Sequence, residues 1–228
     1  MNSLGSARST KRSFKYYLNE AYFNSPVMAL PNQGLGIAVA FTIAKDFYIA
    51  GGMHDANGEP QNFLIGNFNS FFGQNEYFYW VEAGWKESRS VLGGETVHLT
   101  YWYQDARVEQ GTEASKGWCF SASRRFGSYI PFVRAGITNG NAALMHHLVM
   151  AGVGIDAFRG DNLGIAFNWG GPTERSKRDP YSMELYYAIQ LTQHVNLMPD
   201  IQLTMNPSFN DTQNVVAVFS TIRIRYAM

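Results

Sequence analysis

The sequence predicts an all-β chain built as a transmembrane antiparallel up-and-down β-barrel. Three observations predict it. From residue 34 to the end, apolar and polar residues alternate in segments of about nine to thirteen, longer than the roughly 5–6 residues usual in soluble strands. Only 16% of the 228 residues are charged, and 15% are aromatic, where about 25% charged is typical of soluble domains. The connections alternate between short and long, as the periplasmic turns and extracellular loops of such barrels do. No run approaches the ~18 apolar residues of a membrane helix, so any crossing is made by strands.

The first strand, GLGIAVAFTIA, puts Leu35, Ile37, Val39, Phe41 and Ile43 on one face, with Gly34, Gly36, Ala38, Ala40 and Thr42 on the other. Lys45-Asp46 turns it into FYIAGGMHD. Further strands are expected at 75–86, 95–105, 116–126, 129–139, 146–158, 162–171, 181–193, 198–206 and 214–227, eleven in all. Their lengths suit the about 9–11 residues that cross a bilayer at a tilt. MELYYAIQLTQ is the clearest case: Met183, Leu185, Tyr187, Ile189 and Leu191 alternate with Glu184, Tyr186, Ala188 and Gln190. In a soluble sheet the apolar face packs inward; in a membrane barrel it meets lipid while the polar face lines a lumen.

Loop parity favours the membrane. Connections 45–46, 127–128, 159–161 and 194–197 are short; 56–74, 106–115, 140–145, 172–180 and 207–213 are longer, with 87–94 intermediate. The C-terminus then lies on the periplasmic side. Tyr77, Tyr79, Trp85, Tyr101, Tyr103, Trp169, Tyr187 and Tyr226 share the apolar phase, and those near strand ends suit interfacial girdles. Within the longest loop, FLIGNFNSFF spaces Leu64, Phe68, Phe71 and Phe72 for either a short helix or an irregular loop with buried aromatics. Residues 13–23, SFKYYLNEAYF, alternate poorly as a twelfth strand. Residues 1–33 are therefore expected to be a partial N-terminal segment, loop or incomplete strand, and 34–228 the barrel portion of a single domain. MNSLGSARSTKR lacks the apolar stretch of a signal peptide, so the exporting segment is expected to lie outside this chain.

Zero net charge and a near-neutral pI argue against a broad nucleic-acid footprint. Cys119 is the single cysteine, which leaves no intrachain disulfide and no cysteine-based metal site. GVGIDA at 152–157 matches G-x-G-x-x-A but runs into a tight RGD turn at 159–161 rather than a helix, so small wall residues are the better reading, and Gly-Asp is ordinary turn chemistry. His146 and His147 are adjacent, and on a strand they face opposite ways. There is no G-x-S-x-G elbow for a membrane esterase. No catalytic residue, metal or cofactor is expected.

Charged residues on strands fall on the polar phase: Glu82, Glu184, Arg125, Arg134, Asp200, Arg223 and Arg225, with Trp80, Trp102 and Tyr186 beside them. In a soluble fold they would be a solvated outer face; in a barrel they line the channel.

Several blocks carry a family resemblance. Glu184, Tyr186, Tyr187, Gln190, Leu191 and Thr192, then Pro199, Asp200, Ile201 and Gln202, then Asn206-Pro207 and the closing Arg223-x-Arg225 follow in order. Together with GLGIAVAF, YIAGGMHDANG and EYFYWVEAGW, they resemble the C-terminal portion of the carbohydrate-selective porins of OprB type. The resemblance implies an outer-membrane channel for passive diffusion of sugars, of which this chain would supply about the last eleven of sixteen strands. One departure is the end, Tyr226-Ala227-Met228, where such barrels carry a terminal aromatic. The implied partners are mono- or oligosaccharides, outer-membrane lipid and a homotrimer, with no nucleic acid. Flat rings suit the C–H faces of a sugar, Arg donates to its hydroxyls and carboxylates accept from them. The candidate wall contacts are Arg134, Glu82, Trp80, Trp102, Arg125, Glu184, Tyr186, Asp200 and Arg223. The alternatives are a soluble β-barrel that binds small ligands and, with least support, an outer-membrane enzyme.

Overall fold

The computed structural model describes residues 17, 25–61, 65–86, 96–157, 160–207 and 215–226. Residues 13–23 (apart from Tyr17), Leu64, Arg159 of the RGD turn, the 87–94 connection, most of the 207–213 connection, and Ala227-Met228 lie outside these. The eleven strands are β1 (Gly36–Ala44), β2 (Phe47–Asp55), β3 (Tyr77–Lys86), β4 (Thr96–Gln104), β5 (Ser115–Ser123), β6 (Tyr129–Asn139), β7 (Met145–Asp156), β8 (Asn162–Pro172), β9 (Tyr181–Gln190), β10 (Val195–Met205) and β11 (Val216–Tyr226). They form one antiparallel sheet in strict sequence order, with β1 and β11 at its edges. Such a meander needs only hairpin connections, so each strand pairs with its chain neighbour.

Side chains alternate across each strand, and burial follows with the polarity inverted from a soluble fold. On β3, Phe78, Trp80, Glu82 and Gly84 are buried, while Tyr79, Val81 and Ala83 are exposed. On β9, Ser182, Glu184, Tyr186 and Ala188 are buried, while Met183, Leu185 and Tyr187 are exposed. The inner face thus carries Glu82, Thr100, Ser121, Arg134, Glu184 and Asp200, and the outer face carries Val81, Leu99, Phe120, Val133, Ile165, Leu185 and Ile201. The edge strands differ: β1 is exposed on both faces from Ile37 to Ala44.

Aromatics gather at the strand ends. Near the long loops, Tyr79 faces Tyr103 at 6.3 Å and Tyr101 faces Trp118 at 4.9 Å between ring centroids. At the opposite end Trp85 stands across from Phe47. The GVGIDA stretch begins inside β7 and continues its extended backbone to Asp156, so the strand–turn–helix geometry of a dinucleotide motif is absent there.

The longest loop folds as a one-turn helix, α1 (Ile65–Asn69), continued by a wider turn at Ser70–Gln74. Its orientation differs from burial of the aromatics. Asn67 and Ser70 are buried while Phe68 and Phe72 are exposed. Polar anchoring explains this: Asn67 Oδ1 accepts from the Glu59 amide at 2.7 Å, and the Ser70 hydroxyl donates to Asp55 Oδ1 at 2.8 Å. Satisfying these groups decides which side of the helix turns inward.

Candidate functional site: the inner wall

The inner wall is built by a repeated pairing of a ring with a glycine directly opposite it. Tyr48 faces Gly84, Trp80 faces Gly52, Trp102 faces Gly117, Phe132 faces Gly152 and Tyr186 faces Gly164. A Cβ on Gly84 would sit 2.6 Å from the Tyr48 ring, and one on Gly117 would sit 2.6 Å from Trp102 Nε1. Each ring therefore lies across the neighbouring backbone, in space that only glycine leaves open. The large aromatics cover the wall instead of standing off it.

The polar residues on this wall are held to different degrees. Glu82, 2% exposed, accepts from the Tyr48 hydroxyl at 2.7 Å through Oε1 and from the Thr100 hydroxyl at 2.7 Å through Oε2. Both carboxylate oxygens are engaged by neighbouring strands. Asp200 accepts from Gln202 Nε2 at 3.1 Å through Oδ1, while its buried Oδ2 has no partner among the described residues. The Trp80 Nε1 donor likewise has none. Tyr186 donates to Asn162 Oδ1 at 2.6 Å, and Glu184 is fully buried. Arg223 Nη2 lies 3.8 Å from Met198 Sδ, its opposite residue on β10.

Arg134 points inward from mid-β6 and its Nε donates to the Ser121 hydroxyl at 3.4 Å. It is covered rather than open to a lumen. Segment Ser25–Ala29 crosses the inner face of β5–β7, and Ser25, Met28, His98, Cys119, Arg134 and Met150 enclose a cavity of about 20 Å³. The segment is tied down at three points. The Met145 amide donates to Pro26 O at 3.1 Å, the Ser25 hydroxyl and Cys119 thiol lie 3.4 Å apart in a hydrogen bond, and Val27, fully buried, fits against Gly136 where a Cβ would collide with it. Tyr17 adds an edge-on ring against Tyr186 at 4.8 Å and Phe132 at 5.9 Å.

Arg125 is the exception among the candidate wall residues. β5 ends at Ser123, shorter than the expected 116–126, and Arg125 lies between that strand and the turn at Gly127-Ser128. There it pairs with Asp156 at 2.7 Å and donates to Gly127 O at 3.2 Å. Backbone pairing continues past β5, with the Arg124 amide donating to Pro131 O and Phe126 bridged to Tyr129, so Arg125 sits beside the Gly127-Ser128 turn at the end of the wall rather than midway along it.

The structure brings Glu82, Trp80, Trp102, Arg134, Glu184, Tyr186, Asp200 and Arg223 to one side of one sheet. It adds what sequence reading missed: Val27, Met28 and Tyr17 as lining, and the glycines beneath the rings. The apolar run Pro26–Leu30 was a visible signal for the first; the second depends on cross-strand register. Among the described residues no group of three or more His, Cys, Asp or Glu is placed to hold a metal.

A meander of membrane-length strands, apolar outside and polar within, is the wall of an outer-membrane-type β-barrel. The family model for carbohydrate-selective porins of the OprB family matches residues 10–228, and the chain belongs to that family. A solved structure, the high-pH structure of Pseudomonas putida OprB, shares the fold with a TM-score of 0.66 at 17% identity, over 90% of this chain and 60% of that one. The chain thus spans less than two thirds of that porin's length. No curated protein sequence matches it. Family and fold place the chain in the bacterial outer membrane.

Proposed function

We propose that this chain forms the wall of a water-filled channel that passes carbohydrates across the outer membrane by passive diffusion, without catalysis or cofactor. The observation that carries this reading is the inverted wall: Glu82, Arg134, Glu184 and Asp200 are buried on the inner face while Val81, Val133, Leu185 and Ile201 are exposed on the outer one. A soluble ligand-binding barrel requires the opposite assignment.

Within the wall, Trp80, Trp102, Glu184, Tyr186, Asp200 and Arg223 are the proposed sugar contacts. Trp80 and Asp200 lead, because a buried donor and acceptor with no partner among the described residues call for water or a solute hydroxyl. Glu82, Arg134 and Arg125 are proposed to shape the passage rather than to grip the solute, since their polar groups already serve protein partners. Segment Ser25–Ala29 narrows the passage along β5–β7. Individual contacts should be weak, because a permeating sugar must also leave. Outer-membrane lipid covers the outer face, and a homotrimer is the proposed assembly.

Proteoliposome swelling tests this. Because β1 and β11 are sheet edges and open edges are not tolerated in hydrocarbon, the eleven strands alone should give no stable pore. Vesicles carrying a closed barrel that includes them should swell in an isotonic neutral monosaccharide far faster than protein-free vesicles, and more slowly as the sugar lengthens. Swelling at the protein-free rate, with insertion verified, would defeat the proposal.

A further inference from the structure

One patch of the outer wall departs from a smooth surface. Trp85, Val97, Ala122 and Val133 stand in a row across β3–β6, each directly opposite the next. Ala122 is the small member, so the row is indented at β5. One step nearer the β5–β6 turn stand Arg124 and Pro131, where the Arg124 amide donates to Pro131 O at 3.2 Å. These residues line an open groove of about 650 Å³, within the roughly 300–1,000 Å³ of small-molecule sites. Its walls are apolar except at one end, where the Arg124 guanidinium sits 5.3 Å from the centroid of the Phe126 ring.

Depth and side identify the occupant. The β5–β6 connection is a short one, and short connections face the periplasm in such barrels. The groove therefore opens toward the leaflet made of glycerophospholipid, with its cation at headgroup level. Guanidinium is well matched to a phosphate diester through paired N–H donors, and a cation at a membrane surface favours anionic lipid. We propose that this groove binds one anionic phospholipid, an acyl chain running past Trp85, Ala122 and Pro131 and the phosphate resting on Arg124. The site rests on the membrane reading of the sheet, but it makes a narrower claim: selectivity for headgroup charge at one place on the wall.

Trp85 is a built-in reporter. The full chain is reconstituted in phosphatidylcholine bilayers containing either phosphatidylglycerol or phosphatidylcholine brominated near the headgroup. Trp85 quenching is read as the difference between the chain and its Trp85→Phe variant. Brominated phosphatidylglycerol should quench several-fold more than brominated phosphatidylcholine, and Arg124→Gln should equalise the two. High salt should narrow the gap, since it screens the charge pair, and Ala122→Phe should reduce quenching by both lipids. Equal quenching in the unmodified chain overturns the site while leaving the membrane reading intact. A preference that survives Arg124→Gln also overturns it. Quenching by neither lipid removes the membrane reading as well, or, if the chain is then cross-linked to itself through this face, hands the groove to a second copy. The unmodified chain and its Trp85→Phe variant decide the first comparison, whether or not Arg124→Gln and Ala122→Phe insert.

Discussion

The wall at β2–β4 and the wall at β9–β10 each bury a carboxylate on the inner face, and the two are built differently. Glu82 sits between Tyr48 on β2 and Thr100 on β4, each donating to a different oxygen at 2.7 Å. Among the described residues Asp200 receives a bond at 3.1 Å from Gln202 on its own strand, and its second oxygen has no partner. Both acids occupy the same phase and both are almost fully buried. The difference lies in the residues directly across. Opposite Glu82 stand Ala50 and the donor Thr100, with Tyr48 one position along; opposite Asp200 stand Tyr186, whose hydroxyl is spent on Asn162, and Thr221. An inward carboxylate is thus a fastener or an available acceptor according to its cross-strand neighbours.

The comparison holds only if both acids face inward, and the largest expected effect tests that. Leu185 lies mid-strand on β9, opposite Ile165 and Ile201, and is 39% exposed beside the buried Glu184. Leu185→Lys should destabilise the vesicle-inserted chain by about 2–4 kcal/mol if its site is near the bilayer midplane, read by urea unfolding. Full tolerance of that lysine would break the facing of the whole sheet.

Next in size is removal of the fastener. Glu82→Ala leaves the Tyr48 and Thr100 hydroxyls without their acceptor, and the expected cost is about 1–3 kcal/mol. Tyr48→Phe and Glu82→Ala should be non-additive in a double-mutant cycle, as residues sharing one bond are. An additive pair would mean that the bond carries no weight.

Asp200→Asn should cost less than about 1 kcal/mol, since an amide oxygen still accepts from Gln202. Its effect belongs in function: weaker block of ion current by added sugar, with selectivity moved away from cations. A large stability loss with unchanged sugar block would place Asp200 with Glu82 among the fasteners.

The smallest effect is at an acid off the wall. In the β8–β9 loop, hydrogen bonds from Lys177 and Ser176, and then the charge of Lys177, hold the fully exposed Glu174 below the usual carboxylate range. Its contribution is present above the unfolded-state pKa and is lost as pH falls through the lower folded value. A titration of the Glu174 carboxyl by NMR should give a midpoint below that of an unstructured peptide, and Lys177→Ala should return it toward that value. An unshifted midpoint would show that this pair does not persist in water.

Much of this was legible in the chain, and the reason is period two. MELYYAIQLTQ and GLGIAVAFTIA alternate so regularly that facing and strand length follow from the residues alone. All eleven expected strands occur, with ends shifted by a few residues. Arg125 shows the limit: phase placed it on the wall, but its ion pair with Asp156 of β7, 31 residues away, is set by tertiary structure. The loop helix shows another, because spacing left a helix and an irregular loop both open, and hydrogen bonds to Asp55 and Glu59 chose which side of the helix is buried.

By itself, then, the sequence determined an all-β meander with its apolar face outward, because alternation and loop parity are local properties of a strand and its connections. Tertiary structure alone decided what each inward residue has to work with. Whether a ring finds a glycine opposite, whether Glu82 meets two hydroxyls, and whether Val27 is close enough to Gly136 to cover Arg134 all depend on atoms dozens of residues apart in sequence. Pairing register brings those atoms together across the wall, and the packing of Ser25–Ala29 against it closes over some of them and leaves others, like the second oxygen of Asp200, without a partner.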